Sequence, residues 1–306
     1  MKSVLIFGSL PPPIGGVRTS VLNLKKSLDS VNIDNQIFSI KNIFLFKRFD
    51  IGHINFTKKW KIVVAILLGK LLCKKIILTP HGETFYKHKR YIDKFILHFI
   101  DALIALNDEV FERCHSQVNR IKLPPVFIEG FQDLDKSKAS ILDRKDGEKY
   151  ILLYAYGKVF EEEIEVYGCQ FILNLIKEMP SDYRLVFVDP KGEYASDIDL
   201  IDSKKIVYLN KYVDFKQLLL EVDIYIRPTN FDGNSIATLE ALGLGVPVLA
   251  SDIVQRDCNV TLYKTGSESD FLTKLEKLLR DENIDNNFKH KSIVEYITFC
   301  NKIINK

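Results

Sequence analysis

The residues best suited to chemistry stand in one stretch, Arg227–Asp252, where a polar loop joins an apolar run to a helical one. The loop, Thr229–Asn234, leads into a helix whose first turn holds small residues. They are Gly233, Asn234 and Ser235. Free N–H groups and the positive end of the helix dipole suit a diphosphate at such a turn. Asp232 and Glu240 stand at the start of the helix and about two turns into it, so that one can reach a polyhydroxy group and the other a ribose.

The same stretch resembles glycosyltransferase family four, which are retaining enzymes of GT-B architecture that transfer a sugar from a nucleotide sugar. The family signature is an acid, seven residues and a second acid, followed by an Ala-rich helix end and a Gly-x-Pro-Val strand. Here it stands as Asp232, Glu240, Ala241-Leu242 and Gly245-Val246-Pro247-Val248. Two acids at this spacing are common by chance. The glycine turn and the Gly-Val-Pro-Val run make the match specific.

The resemblance extends to two other places in the chain. The segment SLPPPIGGVRTSVLNL is similar to the family's first glycine loop, where Gly15 and Gly16 would let the backbone approach the donor's β-phosphate. The segment Thr79-Pro80-His81-Gly82 looks like the family's His-Gly at a strand end. That likeness implies that His81 lies beside the transferred sugar.

The resemblance also implies a role for each candidate residue of the donor site. Asp232 and the backbone N–H groups of residues 233–235 hold the sugar hydroxyls, and Glu240 accepts hydrogen bonds from the ribose. Lys158 and the first glycine loop stabilise the diphosphate as it leaves. Retention in this family is usually explained by front-face attack, in which the departing phosphate deprotonates the acceptor hydroxyl. No side-chain nucleophile and no metal are therefore expected.

The chain departs from the family pattern at the second domain's phosphate-binding cations. The first acid is Asp232 where the family usually has Glu. Gly157-Lys158 fits the family's first cation, but the second appears as Tyr167-Gly168. Four acids crowd the loop between them: Glu161, Glu162, Glu163 and Glu165. Either Lys158 acts with backbone amides alone, or another cation substitutes. The candidates are Arg227, Lys191 and Arg256.

Each of these residues also has a purely structural interpretation. Gly15-Gly16 could be only a tight turn, and Asp232 could cap the helix that follows it. Glu240 could be a solvated helix residue, and His81 could be a hydrogen-bonded loop histidine.

Short apolar runs alternate with helical patterns along the whole chain, which predicts parallel sheets covered on both faces. The polar segment 131–148 favours a linker. We therefore predict the GT-B fold, with two Rossmann-like, doubly wound α/β domains facing across a cleft. Residues 1–147 would bind the acceptor and residues 148–287 the nucleotide sugar. Residues 288–306 would form a helix that packs back on the first domain.

Lysines are concentrated in a helical pattern that contains no acid. They are Lys58, Lys59, Lys61, Lys70, Lys74 and Lys75. The segment is either a core-packing helix with a solvated basic rim or a basic surface resting on anionic lipid, and both can hold together. The sequence contains no basic motif interleaved with aromatic residues and no known nucleic-acid-binding module, so nucleic-acid binding is not expected.

The sequence carries no sign of secretion, of a membrane span or of a metal site. The first apolar run is too short for a signal peptide. The longest, Ile62–Cys73, is shorter than the roughly 18 to 20 residues that a span needs. The five cysteines form no C-x-x-C pair, which predicts a reduced, cytoplasmic protein. Two D-x-D triplets, at 133–135 and 197–199, are no more than chance provides.

The sequence therefore predicts a metal-independent, retaining hexosyltransferase that uses a UDP- or GDP-linked donor. Its acceptor would be a glycan or a lipid-linked glycan precursor for a cell-surface polysaccharide, in the cytoplasm or at the inner face of the membrane. No cofactor is expected besides the donor. Two alternatives stay open: a degenerate GT-B subunit that binds a partner glycosyltransferase, and another reaction of a nucleotide sugar such as epimerisation.

Overall fold

The chain divides into two compact units in the computed structural model. The model describes residues 1–11, 16–40, 48–81, 91–106, 108–113, 118–123, 127, 140–232, 235–253, 256, 259–280 and 292–306. The first unit comprises Met1–Gln132 and His290–Lys306, and the second comprises Asp133–Lys289. None of the described helices is both long enough and apolar enough to cross a membrane.

The first unit is built on a six-stranded parallel sheet with the strand order β2-β1-β3-β4-β5-β6. Its strands are β1 (Ser3–Phe7), β2 (Asp34–Ile37), β3 (Phe49–Ile54), β4 (Cys73–Leu78), β5 (Ala102–Ala105) and β6 (Asn119–Lys122). The helices between them are α1 (Gly16–Ser30), α2 (Lys59–Leu72), α3 (Tyr91–Phe99) and α4 (Asp108–Arg113). The central strands β1, β3 and β5 are four to six residues long and buried along their whole length, because both faces of a parallel sheet are covered.

The second unit carries a six-stranded parallel sheet with the order β11-β10-β7-β12-β13-β14, and a separate antiparallel hairpin, β8-β9. Its strands are β7 (Lys149–Tyr154), β8 (Phe160–Glu161), β9 (Ile164–Glu165), β10 (Tyr183–Val188), β11 (Ile206–Leu209), β12 (Ile224–Arg227), β13 (Val248–Ser251) and β14 (Thr261–Tyr263). Its described helices are α5 (Cys169–Leu175), α6 (Ala195–Ile198), α7 (Phe215–Leu219), α8 (Ile236–Gly243) and α9 (Glu268–Arg280). Counted within the sheet, this is the 3-2-1-4-5-6 strand order of the Rossmann fold.

Helices cover both faces of the first sheet because successive strand residues point to opposite sides. In β1, Leu5 and Phe7 join the core beneath α2 and α3. Val4 and Ile6 join the opposite core, beneath α1 and the last helix of the chain, α10 (Ile293–Ile304). The final residues of the chain therefore complete the core of the first unit.

The prediction of two Rossmann-like α/β units is confirmed by these sheets. The predicted alternation of strands and helices appears in both units. The sequence analysis did not predict the helices α3, α4 and α6, the strands β6 and β14 or the hairpin β8-β9. Except for α3, these elements are only two to six residues long, too short to show a clear apolar period.

The described part of the predicted linker, residues 140–148, is bonded into the second unit. The carboxylate of Glu221 accepts hydrogen bonds from the backbone N–H groups of Ile141, at 2.9 Å, and of Leu142, at 2.8 Å. The polar character of this segment thus reflects anchoring to the second unit, and the chain divides earlier than we expected, after Gln132.

A buried chain of polar side chains links β3, the end of β4 and α10. Nδ1 of His53 lies 3.2 Å from the hydroxyl of Tyr296, and Nε2 lies 2.7 Å from the hydroxyl of Thr79. Burial, aided by the nearby His81, lowers the pKa of His53 to about 3, so that the ring is neutral in the native state.

We predict that His53→Gln weakens the pH dependence of stability. An unfolded histidine titrates near 6.5 whereas native His53 titrates near 3, so that below about pH 6.5 only the unfolded state takes up the proton. The contribution of neutral His53 is complete above pH 6.5 and falls by about 1.4 kcal/mol per pH unit toward pH 3. Urea denaturation between about pH 7 and pH 5 measures this slope. His98→Gln, at an exposed histidine, should leave the slope unchanged. An unchanged slope in His53→Gln would contradict a buried, neutral His53.

We also predict that Gly168→Ala destabilises the second unit strongly. Gly168 precedes α5 with φ of +65°, and a Cβ there would lie 1.9 Å from the carbonyl oxygen of Pro228. The left-handed backbone costs an alanine about 1–2 kcal/mol, and the clash adds about 1–3 kcal/mol. Gly266 also has positive φ but open space around its Cβ position, so Gly266→Ala isolates the backbone cost. Equal losses of unfolding free energy in the two variants would exclude the close approach to Pro228.

Candidate functional site

The second sheet reverses its winding between the adjacent strands β7 and β12. Ligands of doubly wound sheets bind outside the carboxyl ends of the strands at this switch point. Gly157-Lys158 follows β7, and the Asp232 loop follows β12, so that the sheet brings the two predicted phosphate-binding segments to one edge.

Asp232 lies at this edge between two arginines, in a group that we call the arginine–aspartate cluster: Arg227, Thr229, Asp232 and Arg256. Nε and Nη2 of Arg227 donate to the two carboxylate oxygens of Asp232, each at 3.0 Å. Nη2 of Arg256 donates to Oδ2 at 2.7 Å, and the hydroxyl of Thr229 donates to the same oxygen at 3.3 Å. Arg227 therefore binds Asp232 through two hydrogen bonds, and Arg256 binds it through one.

The cluster is buried and its carboxylate is permanently ionised. Only 13% of the Arg227 side chain, 7% of Asp232 and 4% of Arg256 is exposed. Burial alone would raise the pKa of Asp232, but the charges and hydrogen bonds of Arg227 and then of Arg256 hold it at about 2. Asp232 is thus unsuited to be a proton donor at neutral pH.

Positive charge exceeds negative charge in the cluster, because two guanidinium groups share one carboxylate. Nε of Arg256 is buried and has no hydrogen-bond partner among the described residues. A buried cation without full compensation is costly unless an anion completes it. The arrangement can therefore bind an anionic group, which is what a diphosphate supplies.

Tyr167 replaces the family's second cation and lies against Arg227. The guanidinium carbon of Arg227 is 5.7 Å from the centre of the Tyr167 ring, within the range of a cation–π contact. The tyrosine at this position thus orients a cation from β12 instead of supplying one itself.

Lys158, the predicted first cation, is bound by two acids that follow β10, Glu193 in the loop and Asp197 in α6. Its Nζ lies 3.0 Å from Oδ2 of Asp197, and its backbone N–H donates to Glu193 at 2.6 Å. Asp197, which belongs to the second D-x-D triplet, therefore compensates a lysine. The other triplet lies outside the described residues. Within the described part of the chain, no three His, Cys, Asp or Glu side chains lie close enough together to bind a metal ion.

The acids that crowd the sequence after Lys158 are folded into the hairpin β8-β9. Glu162 and Glu163 form its turn with positive φ, and both are exposed. Glu165 accepts from the backbone N–H of Gln170 at 2.9 Å, at the start of α5, and from the hydroxyl of Tyr194. The run of acids is therefore explained by local structure.

Helix α8 carries two of the predicted site residues. Ser235 is its N-cap, and its hydroxyl accepts from the backbone N–H of Thr238 at 3.3 Å, so Asp232 is not needed as the cap. Glu240 is 4% exposed and lies 3.6 Å from Nζ of Lys216. It is not a solvated helix residue. Gly233 and Asn234 lie outside the described residues.

The first unit holds His81 just beyond β4, at the carboxyl edge of its sheet and one strand away from the reversal of winding between β1 and β3. Nε2 of His81 lies 3.2 Å from Oδ1 of Asn55, which follows β3. Burial lowers the pKa of His81 to about 4, so the ring is neutral at physiological pH. Gly16 opens α1 and is exposed, and a Cβ there would meet nothing within 4 Å. Gly15 and Gly82 lie outside the described residues.

A small, partly open space of about 20 Å³ lies beside this network, among His53, Asn55 and Thr79. It is far smaller than the roughly 300 Å³ of a ligand pocket. It is not a sugar site.

The structure thus gathers some predicted residues and separates others. Asp232 lies with Arg227 and Arg256, which the sequence offered only as substitutes. Lys158 and Glu240 have their own partners, and no described contact joins either to Asp232. Sequence reasoning missed Asn55, which belongs to no recognisable motif, and the contact of Tyr167 with Arg227, which joins segments far apart in the sequence.

The second unit matches a family model. Residues 153–281 match the model described as Glycosyl transferases group 1. This region contains α8, Asp232 and Glu240.

Two curated relatives align with most of the chain. A 41.2 kDa protein of the cps region of Klebsiella pneumoniae, described as uncharacterized, is 26% identical over 71% of this chain and 66% of its own length. UDP-Gal:alpha-D-GlcNAc-diphosphoundecaprenol alpha-1,3-galactosyltransferase of Escherichia coli is 22% identical over 78% of this chain and 67% of its own. The matches thus span about two thirds of each relative.

A solved structure shares the fold over both units. HepE of Anabaena, crystallised in complex with UDP and glucose, has a TM-score of 0.63 and 11% identity, covering 100% of this chain and 99% of that one. The second unit thus matches the group 1 glycosyltransferases, and the likeness over both units shows that the chain has the GT-B fold.

Proposed function

We propose that the chain is an active, retaining hexosyltransferase that takes its sugar from a nucleotide diphosphate sugar without a metal. The acceptor would be a glycan or a lipid-linked glycan precursor of a cell-surface polysaccharide. Support comes from the E. coli relative, whose name specifies UDP-Gal and a diphosphoundecaprenol acceptor, and from the UDP bound to HepE. The second unit would bind the donor and the first unit the acceptor.

The arginine–aspartate cluster is the observation that carries this proposal. Arg227 and Arg256 would hold the diphosphate, taking the place of the cation that Tyr167 does not supply. Negative charge on the leaving diphosphate grows as the bond to the sugar breaks. Guanidinium groups already fixed in a buried site can stabilise that charge without reorganising. Lys158 would contribute less than the sequence suggests, because Asp197 already compensates its charge.

Asp232 would act mainly by holding the two arginines in place. Its pKa of about 2 keeps it ionised at every working pH. A carboxylate oxygen can accept more than one hydrogen bond, so Asp232 can also receive a sugar hydroxyl, as the family resemblance implies. The backbone N–H groups of residues 233–235 and the glycines Gly15 and Gly16 remain proposed donor contacts.

The proposed chemistry needs no protein nucleophile. The bond between the anomeric carbon and the phosphate oxygen breaks, a bond to the acceptor oxygen forms on the same face, and the acceptor's proton passes to the departing phosphate. His81 would contact the sugar as a neutral ring. With Asn55 Oδ1 as its acceptor, Nε2 carries the proton and Nδ1 is left to accept one from a hydroxyl.

We predict that Arg256→Gln removes most of the affinity that the second phosphate of UDP provides. A hydrogen bond to a charged group is worth about 1.5–3 kcal/mol, so the ratio of UMP to UDP dissociation constants should fall by about 10-fold to 100-fold. Arg256 is the better target because the bidentate pair of Arg227 and Asp232 survives its loss. Calorimetric titration with UMP and UDP measures the ratio, and GDP and ADP complete the panel.

A matched control is Arg184→Gln, at an arginine paired with Glu148 near the amino end of β10 and so remote from the switch point. It should leave the UMP-to-UDP ratio unchanged. An unchanged ratio in Arg256→Gln would contradict the proposed role of the cluster. Failure of the folded wild type to bind UDP, GDP or ADP would favour the degenerate, partner-binding subunit.

Glu240→Gln should behave differently from Arg256→Gln. If Glu240 binds the ribose, the loss affects UMP and UDP alike, by about 10-fold each, and their ratio stays as in the wild type. Unchanged affinity for both nucleotides would exclude Glu240 from the donor site.

A further inference from the structure

Helix α2 is apolar on both of its faces. One face, with Ile62, Ile66 and Leu72 among its residues, is buried against the first sheet. The opposite face is exposed at steps of four, three and four residues. It presents Trp60 (62% exposed), Val64 (45%), Leu67 (57%) and Leu71 (76%). A helix that needed only one apolar face for its core would carry polar residues here.

Helix α3 continues this surface. It packs on the same core as α2 and contacts that helix. Its outward side chains include Tyr91, Phe95 and Phe99, all exposed. Of the sixteen large apolar side chains exposed in the described part of the chain, seven lie on these two short helices. We call the outward side chains of α2 and α3 the α2–α3 apolar face. Such concentration marks an interaction surface.

The charges around this face are almost all positive. The single acid of α2 and α3 is Asp93, which is buried and paired with Lys59 at 2.7 Å. The fold also brings acids to other lysines of the predicted basic segment. These pairs are Lys70–Asp101 at 3.3 Å, Lys74–Asp50 at 2.7 Å and Lys75–Asp101 at 3.6 Å. Lys58, Lys61 and Lys94 are exposed and have no ion pair among the described residues, and they flank Trp60 and Phe95.

We propose that the α2–α3 apolar face inserts into the interfacial layer of a membrane that contains anionic phospholipid, with Lys58, Lys61 and Lys94 at the headgroups. Aromatic side chains with a basic rim and an aliphatic centre suit this layer. Each lysine near an anionic surface adds about 1 kcal/mol to the free energy of membrane binding. Three lysines therefore strengthen the binding, but most of it must come from insertion of the apolar side chains. The lysine-based contact expected from the sequence becomes a minor part of an apolar one.

A second copy of the chain is a poorer occupant than a lipid surface. A two-fold contact would set this face against itself and bring the same lysines close to one another. Anionic headgroups instead compensate those lysines while the acyl boundary accepts the apolar side chains. The inference goes beyond the proposed donor chemistry and does not depend on it.

Trp60 provides a direct probe because it is the only tryptophan of the chain. Its fluorescence should shift to shorter wavelength when vesicles of phosphatidylcholine with phosphatidylglycerol are added, and less with phosphatidylcholine alone. Leu71→Glu should weaken vesicle binding at least about tenfold, since burial of one leucine is worth about 1.5–3 kcal/mol. Leu200→Glu is the matched control, with Leu200 79% exposed on the second unit, and should bind as the wild type does.

Three outcomes would overturn the proposal. The first is no spectral shift with anionic vesicles. The second is equal weakening by Leu71→Glu and Leu200→Glu. The third is a shift that follows protein concentration without vesicles, together with a dimer by light scattering, which would make the face a contact between copies. UDP binding, measured on the same samples, reports separately on the donor site.

Discussion

The second unit is organised around a buried carboxylate that must be held by two arginines. Asp232 can stay ionised with 7% of its side chain exposed because Arg227 and Arg256 meet it from different segments. Arg227 comes from the end of β12 and Arg256 from the segment after β13, so the contact fixes two strand ends and the loop between them. The same contact leaves one positive charge in excess. The same residues thus form a structural ion pair and the proposed anion-binding site.

The neighbouring departures from the family pattern follow from this cluster. Tyr167 supplies a ring against Arg227 where the family has a cation, and Gly168 lets the chain pass close to Pro228. Lys158 is paired with Asp197, which compensates its charge. Under the proposed function, the cations that bind the diphosphate come from the strand end of β12 and the segment after β13 instead of the loop after β7. The missing lysine then does not imply a lost activity.

Much of the fold could be predicted because parallel strands are short apolar runs with both faces buried, and their alternation with helices is visible locally. Strand β6 was missed because an edge strand such as Asn119–Lys122 can be polar. Motifs single out Asp232, Glu240 and His81 as candidate site residues, and their roles stay predictions. Pairs that join distant segments were not predictable from the sequence. Arg256 reaches Asp232 across a strand, and Asp50, Asp93 and Asp101 neutralise lysines that have no acid near them in sequence.

The central claim is that Arg227 and Arg256 receive the diphosphate of the donor. A crystal structure of the protein with UDP tests it most directly. We expect the β-phosphate to lie within hydrogen-bond distance of Arg256, with Nε as a donor and the bidentate pair of Arg227 and Asp232 retained. A diphosphate bound by Lys158, with both arginines still committed to Asp232 alone, would contradict it.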